Sequence, residues 1–261
     1  MTESNGSESV RALARGLRLI EAFGGSRRGK TLADLARDTD LSRATVRRLL
    51  LTLKELGYVS TDGRLFNLTS RVLTLSYPYL SSVALTDMLL PHMEEMLEGS
   101  SYTSSSAAML DQSDVVFTAG VPARGLVRTW MTVGLRVPAI YSSMGRIMLS
   151  YLPPDKLEAI LEKSNYAALT PFTVTDREQI RRIIAKAKGD GFAFCDREID
   201  PLARACAVPI FDRQGRCWAA VSASCHDPSK SMENFAAEFL PRLKLASEQF
   251  TRNLPYDPFI S

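Results

Sequence analysis

The chain has 261 residues, more than one average domain, and an apolar fraction of 45% that can fill real cores. Its net charge of +3 hides an asymmetry: residues 1–80 hold 13 lysines and arginines against 8 aspartates and glutamates, and residues 81–261 hold 19 against 21. No apolar run reaches the ~18 residues of a membrane span, the polar opening MTESNGSES lacks an apolar signal core, and two histidines beside four widely spaced cysteines speak against a His-based metal site, a C-x-x-C knuckle or a Ser-His-Asp triad. A soluble, cytoplasmic chain is expected, with Cys195, Cys206, Cys217 and Cys225 as reduced thiols, no metal or cofactor and no membrane partner.

After a tail over 1–9, Val10 to Phe23 carries Val10, Leu13, Leu17 and Ile20 at helical spacing and stops at Gly24-Gly25. That stripe is expected to face the core. Arg11, Arg15 and Arg18 lie off it, open to phosphates or to solvent. A basic loop, Ser26 to Lys30, leads to Thr31-Leu-Ala-Asp34, which reads as a capping box opening a short helix. Asp38 to Leu41 then turns into SRATVRRLLLTLKELG, residues 42–57. Ser42 is a good N-cap, and Gly57 suits the left-handed residue past a helix end. Val46, Leu49, Leu50, Leu53 and Leu56 share one face of this helix, while Ser42, Arg43, Ala44, Thr45, Arg47 and Arg48 occupy its exposed first turns, where a helix-turn-helix reader carries its base-contacting side chains. Tyr58 to Thr61 and Arg64 to Leu68 flank Asp62-Gly63, a strong hairpin signal. Helix, turn, basic helix and hairpin describe a winged helix-turn-helix. Arg43, Thr45, Arg47 and Arg48 are expected at bases and nearby phosphates of double-stranded DNA, with Arg64 of the wing on the backbone.

Residues 70–84 read as a linker helix that Pro78 kinks or ends, and a helix follows from Leu85 to Glu98, interrupted by Pro91. Beyond residue 100 the period shortens. Tyr102 to Met109 and Val115 to Val121 form a strand pair, and Val127 to Val133 supplies a third strand. Tyr141 to Tyr151, Pro154 to Lys163 and Thr175 to Lys188 are helical, Gly191 to Cys195 is extended, and Ala205 to Phe211 pairs with Cys217 to Ser224. Met232 to Arg252 closes the chain as a long helix. One sheet with helices packed on it makes an α+β domain.

In SVRALARGLRLIEAF, TLADLARDTDLSRATVRRLLLTLKELGYV, VPAIYSSMGRIMLSYLP and GFAFCDREIDPLARACAVPIFDRQGRCWAAVSAS the chain resembles the IclR family of bacterial transcriptional regulators over nearly its whole length. RTWMTVGLRV with PAIYSSMGR most resembles the branch that controls catabolism of protocatechuate, 4-hydroxybenzoate and related aromatic acids through the beta-ketoadipate pathway. The resemblance implies a winged-helix domain at 10–69, a linker helix at 70–84, a GAF-like effector-binding domain at 85–254 and a tail at 255–261. It also implies a homodimer able to pair into a tetramer on palindromic or repeated operator DNA. It places the effector against Ser142, Ser143 and Met144, around Cys195 and Ala205, and against Ser222 and Ser224. Two departures stand out: SMGR where many members have SGKA, and Ala203 before Arg204 where a glycine is frequent.

The residues support an organic-acid pocket on their own terms. Ser142-Ser143 before a helix can aim hydroxyls and free N–H groups at an anion, or simply cap the helix. Ser222 and Ser224 alternate on a strand and so face one side. Trp130, Met131, Tyr141, Met144 and Phe194 supply an apolar wall or ordinary core, and one or two of Arg124, Arg128, Arg136, Arg146 and Arg204 are expected to grip a carboxylate, with Arg128 or Arg204 singled out. The function expected is a ligand-responsive transcriptional regulator, with an aromatic or another small acid as effector. The rival is an enzyme that uses its helix-turn-helix only for assembly, with Cys195 or Cys225 as nucleophile and Asp196, Glu198 or Asp200 as general base; the lack of a histidine partner at a recognisable spacing counts against it.

Overall fold

The computed structural model describes residues 10–24, 28–76, 85–124, 133–227 and 229–253. The chain divides into two compact units, Met1–Ser81 and Ser82–Ser261. Among the described residues no helix is long and apolar enough to cross a membrane.

The first unit opens with three helices, α1 (Arg11–Glu21), α2 (Leu32–Thr39) and α3 (Arg43–Glu55). The capping box at α2 is complete: Asp34 N donates to Thr31 Oγ1 (3.2 Å) and Thr31 N donates to the Asp34 carboxylate (3.2 Å). Asp40, at φ 54°, takes the left-handed turn that ends α2, a conformation aspartate tolerates better than most residues. Ser42 then caps α3 by accepting from Thr45 N. At the other end of α3, Gly57 sits at φ 80°, with Tyr58 N donating to Leu53 O (2.8 Å) and Gly57 N to Lys54 O (2.9 Å), the paired bonds of a Schellman stop. Strands β1 (Val59–Thr61) and β2 (Phe66–Leu68) form the wing, and a short 3-10 turn, Ser70–Val72, follows. Residues 62–65 make a four-residue loop rather than a two-residue turn, because the Asp62 carboxylate accepts from both Arg64 N and Leu65 N.

Leu19, Phe23, Leu35, Val46, Leu50, Leu53 and Val59 form the core of this unit. The expected packing of α1 is corrected here. Its buried face runs through Leu19 and Phe23, so Val10, Leu13 and Leu17 stand out at 66%, 62% and 48% exposure. Leu56, the residue that ends α3, is exposed as well.

The second unit is built on a six-stranded antiparallel sheet in the order β5-β4-β3-β8-β7-β6, comprising β3 (Thr103–Asp111), β4 (Asp114–Val121), β5 (Arg136–Pro138), β6 (Ala193–Asp196), β7 (Arg204–Phe211) and β8 (Cys217–Cys225). Helices α4 (Leu85–Met96) and α8 (Met232–Asn253) cover one face, burying Leu89, Met93, Phe235, Phe239 and Leu243 against Cys206, Val208, Val221 and Ala223. Helix α5 (Ser143–Ser150) lies on the other face, with α6 (Pro154–Lys163) and α7 (Arg177–Asp190) outside it, around Ala108, Ala207 and Ala220. Alternate strand residues feed the two cores, as the pleat requires.

Pro91 does not interrupt α4. It sits on the exposed side, so the donor it lacks is lost at the surface while Leu89, Met93 and Met96 hold the buried side. The expected strand at Val127 to Val133 lies outside the described residues except for Val133, which belongs to a turn; the edge strand is β5.

Small residues let α5 lie close to the preceding chain. A Cβ on Gly145 would stand 2.1 Å from Ala139 O, so only glycine fits. This contact sets where the first turn of α5 enters the domain.

Candidate DNA-contact and effector sites

Helix α3 holds its reader face out by anchoring Val46, Leu50 and Leu53 in the core. Ser42, Arg43, Ala44, Arg47, Arg48 and the wing residue Arg64 are exposed, and Thr45 is half-exposed beside Ser42, with their hydroxyls 2.9 Å apart. Lys30 pairs with Asp38, and Arg37 with Asp34 and Asp38, whereas the guanidinium groups of Arg43, Arg47, Arg48 and Arg64 form no ion pair among the described residues. Uncompensated positive charge on one helix face and its wing is what phosphate neutralisation requires.

In the second unit a cavity of about 770 Å³ opens between the sheet and the first turn of α5. This volume lies within the range that holds small ligands. Ser142, Ser143, Met144, Cys195, Ala205, Ser222 and Ser224 line it together. The register explains the gathering: Ser224 pairs with Ser104 on one side and Ala205 on the other, and Ala205 pairs with Cys195, so one row across the sheet delivers four lining residues. The cavity wall is otherwise mainly apolar, with Phe117, Leu135, Val137, Ile199 and Leu202.

The polar atoms are unevenly satisfied. Ser222 Oγ donates to Ser106 O and Ser104 Oγ donates to Ser224 O, each at 3.3 Å. Ser142, Ser143 and Ser224 are buried as residues, at 5%, 2% and 7% exposure, yet their hydroxyls open to the cavity and make no hydrogen bond among the described residues. Ser142 therefore precedes α5 without capping it, and the N–H groups of the first turn remain open beside the cavity. Burial pushes the Cys195 thiol up to about 11, which keeps it uncharged at neutral pH and removes it as a nucleophile.

Several expected wall residues stand elsewhere. Tyr141 is core, its hydroxyl donating to Asn165 O and Ala167 O. Phe194 packs with Phe192 on the opposite face of the sheet. Arg204 points away from the Ala205 side, with its Nε 3.1 Å from Asp196 Oδ1, so it is an ion-pair partner and not a cavity cation. Arg128, Trp130 and Met131 lie outside the described residues. All four cysteines carry free thiols, with Cys195, Cys206 and Cys225 buried and Cys217 half-buried.

Sequence reasoning missed Ile199, Pro201, Leu202, Ser104 and His226 as lining residues of the cavity. His226 is half-buried. Its signal was present: Ser222, Ser224 and His226 continue one alternation, and the ladder runs on as His226 N donates to Tyr102 O (3.2 Å).

Two family profiles match the chain, the IclR helix-turn-helix domain over residues 12–63 and the bacterial transcriptional regulator IclR C-terminal domain over residues 77–252. The chain is 34% identical to the Pca regulon regulatory protein of Pseudomonas putida over 93% of its own length and 84% of that protein's. It is 32% identical to the p-hydroxybenzoate hydroxylase transcriptional activator of Acinetobacter baylyi, over 94% and 92% of the two chains. The crystal structure of an IclR homolog complexed with 4-hydroxybenzoate, from Microbacterium hydrocarbonoxydans, is 26% identical and superposes with a TM-score of 0.75 over 92% of this chain and 98% of that one. With its helix-turn-helix unit and its α+β unit both matched, this chain belongs to the IclR family and is a DNA-binding transcriptional regulator, not an enzyme.

Proposed function

We propose that the protein regulates genes of aromatic-acid catabolism, and that a small aromatic acid in the cavity of the second unit alters its grip on operator DNA. The observation that carries this reading is the set of three serines, Ser142, Ser143 and Ser224, whose hydroxyls face an otherwise mainly apolar cavity with no hydrogen bond among the described residues. Buried polar groups are normally hydrogen-bonded, and a carboxylate held at the open first turn of α5 would satisfy them. The apolar wall then takes the ring. Similarity to regulators named for the Pca regulon and p-hydroxybenzoate hydroxylase, and to a homolog crystallised with 4-hydroxybenzoate, supports the aromatic class.

On the DNA side, residues 10–69 form the reader, residues 70–84 the link and residues 85–254 the effector domain. Ser42, Arg43, Ala44, Thr45, Arg47 and Arg48 enter the major groove of a palindromic or repeated site, and Arg64 meets the backbone. The protein works in the cytoplasm as a homodimer. Val10, Leu13 and Leu17 form an exposed apolar stripe suited to a second copy, since such patches mark interaction surfaces. The ligand acts by favouring one arrangement of the paired readers over another.

Fluorescence anisotropy on labelled operator DNA, with and without saturating 4-hydroxybenzoate or protocatechuate, tests the reading. A changed operator affinity supports it. An unchanged affinity, together with an unchanged Tm of the free protein, overturns the aromatic effector.

A further inference from the structure

His226 is a polar side chain of the cavity whose hydrogen bonding the protein leaves incomplete. Its Nδ1 is sealed from solvent and finds no partner among the described residues, so the edge that a ligand in the cavity can meet is the one carrying Nε2. Burial lowers its pKa below the ordinary histidine value, against the smaller opposing pull of Asp200, so the ring is neutral at pH 7. His226 stands two residues beyond Ser224 on the same side of the strand direction, a displacement of about 6.6 Å. That is comparable with the span of one benzene ring carrying para substituents. The charge at this end is negative: Asp200, whose Oδ1 accepts from Leu202 N (2.9 Å), is the one carboxylate among the described lining residues, and none of them is a lysine or arginine.

We propose that His226 is a specificity residue that takes a ring hydroxyl of the effector, so that the site selects a hydroxylated aromatic monocarboxylate over both the bare aromatic acid and an aliphatic dicarboxylate. This rests on the cavity being the effector site. The carboxylate lies at Ser142, Ser143 and Ser224, and the hydroxyl reaches the imidazole edge. A second carboxylate would have to settle beside Asp200 with no lysine or arginine among the described lining residues, which is costly in a partly buried site.

Calorimetric titration of the full-length protein with 4-hydroxybenzoate, benzoate and adipate tests this. The expected result is 4-hydroxybenzoate binding about tenfold tighter than benzoate, the worth of one buried hydrogen bond, with adipate weaker than both. In His226→Phe the ratio of the two aromatic affinities falls towards one, and His226→Gln, which returns a hydrogen-bonding group, recovers part of it. Equal binding of the two aromatic acids, an undiminished ratio in His226→Phe, or adipate binding tightest overturns the inference while leaving a ligand site in place. Failure of both aromatic acids to bind the wild-type protein overturns the aromatic-effector reading itself.

Discussion

Arg146 and Glu198, 52 residues apart in the chain, form a two-point ion pair inside the second unit, with Nη1–Oε1 at 2.6 Å and Nη2–Oε2 at 2.8 Å. Both side chains are almost fully buried, and every remaining polar atom of the pair is engaged. Arg146 Nε donates to Ile140 O and its Nη1 also to Phe194 O, while Glu198 Oε2 accepts from Val174 N. Arg146 belongs to α5, whose first turn forms one wall of the cavity, and Glu198 opens the loop that forms another. The pair therefore fixes the distance between the two walls.

Removing one partner of such a pair strands the other charge in a low-dielectric interior, at a cost of about 3–5 kcal/mol. Arg146→Met is expected to lose stability of that order in urea unfolding and to loosen effector binding. Arg146→Lys keeps the charge but not the two-point geometry, so its loss should be smaller. Equal stability for all three proteins would mean that the pair contributes nothing net.

Cys195 gives a pH signature. Its folded pKa of about 11 lies above the ~8.5 of a free thiol. The raised value means that its contribution is fully present below the unfolded pKa and is lost as pH rises through the folded one. Stability on the order of 2 kcal/mol should therefore decline between roughly pH 8.5 and 11. Thermal unfolding at pH 8 and pH 10.5 checks this, with Cys195→Ala showing a smaller difference than the wild type. Cys206 and Cys217, both pushed up to about 12 by burial, leave a residual decline in that variant. Iodoacetamide should label Cys195 far more slowly in the native protein than in urea.

How far the sequence reveals this molecule depends on the range of the interactions involved. The caps of α2 and α3 and the stop at Gly57 are local, formed within a few residues, and each could be read directly. The pairing of Ser222 and Ser224 on one strand face follows from a period of two. Long-range partnerships were not legible. Nothing local marks Arg146 as the mate of Glu198, and Arg204 looked like an anion grip until β6 brought Asp196 beside it. The misreading of α1 has a different cause: the helix carries two apolar faces, and periodicity alone does not say which one the core takes.

The exposed face of α1 carries the next prediction. Leu13 and Leu17 add little to the folded monomer because both are largely solvated, yet each could yield about 1.5–3 kcal/mol if fully buried against a second copy. Leu13→Glu/Leu17→Glu should keep its far-ultraviolet circular dichroism while shifting towards monomer in sedimentation velocity, and operator affinity should fall with it. A dimer as tight as the wild type would exclude this stripe as the interface.

The reader face of α3 makes two separable claims. Arg43 and Arg47 sit in the first turns, exposed and unpaired, where a helix in the major groove meets base edges. Replacing either with alanine should cost about 1–3 kcal/mol on the preferred operator and much less on unrelated DNA, so sequence preference flattens. Arg64 stands exposed on the wing, where the proposed contact is with phosphate. Arg64→Ala should weaken binding to all sequences alike and reduce the slope of log affinity against log salt by about one. Anisotropy titrations at several salt concentrations separate the two effects, because a base contact changes the ratio between sequences and a phosphate contact changes the salt slope. If Arg43→Ala and Arg47→Ala both retain the wild-type ratio, then α3 is not the element that reads the operator.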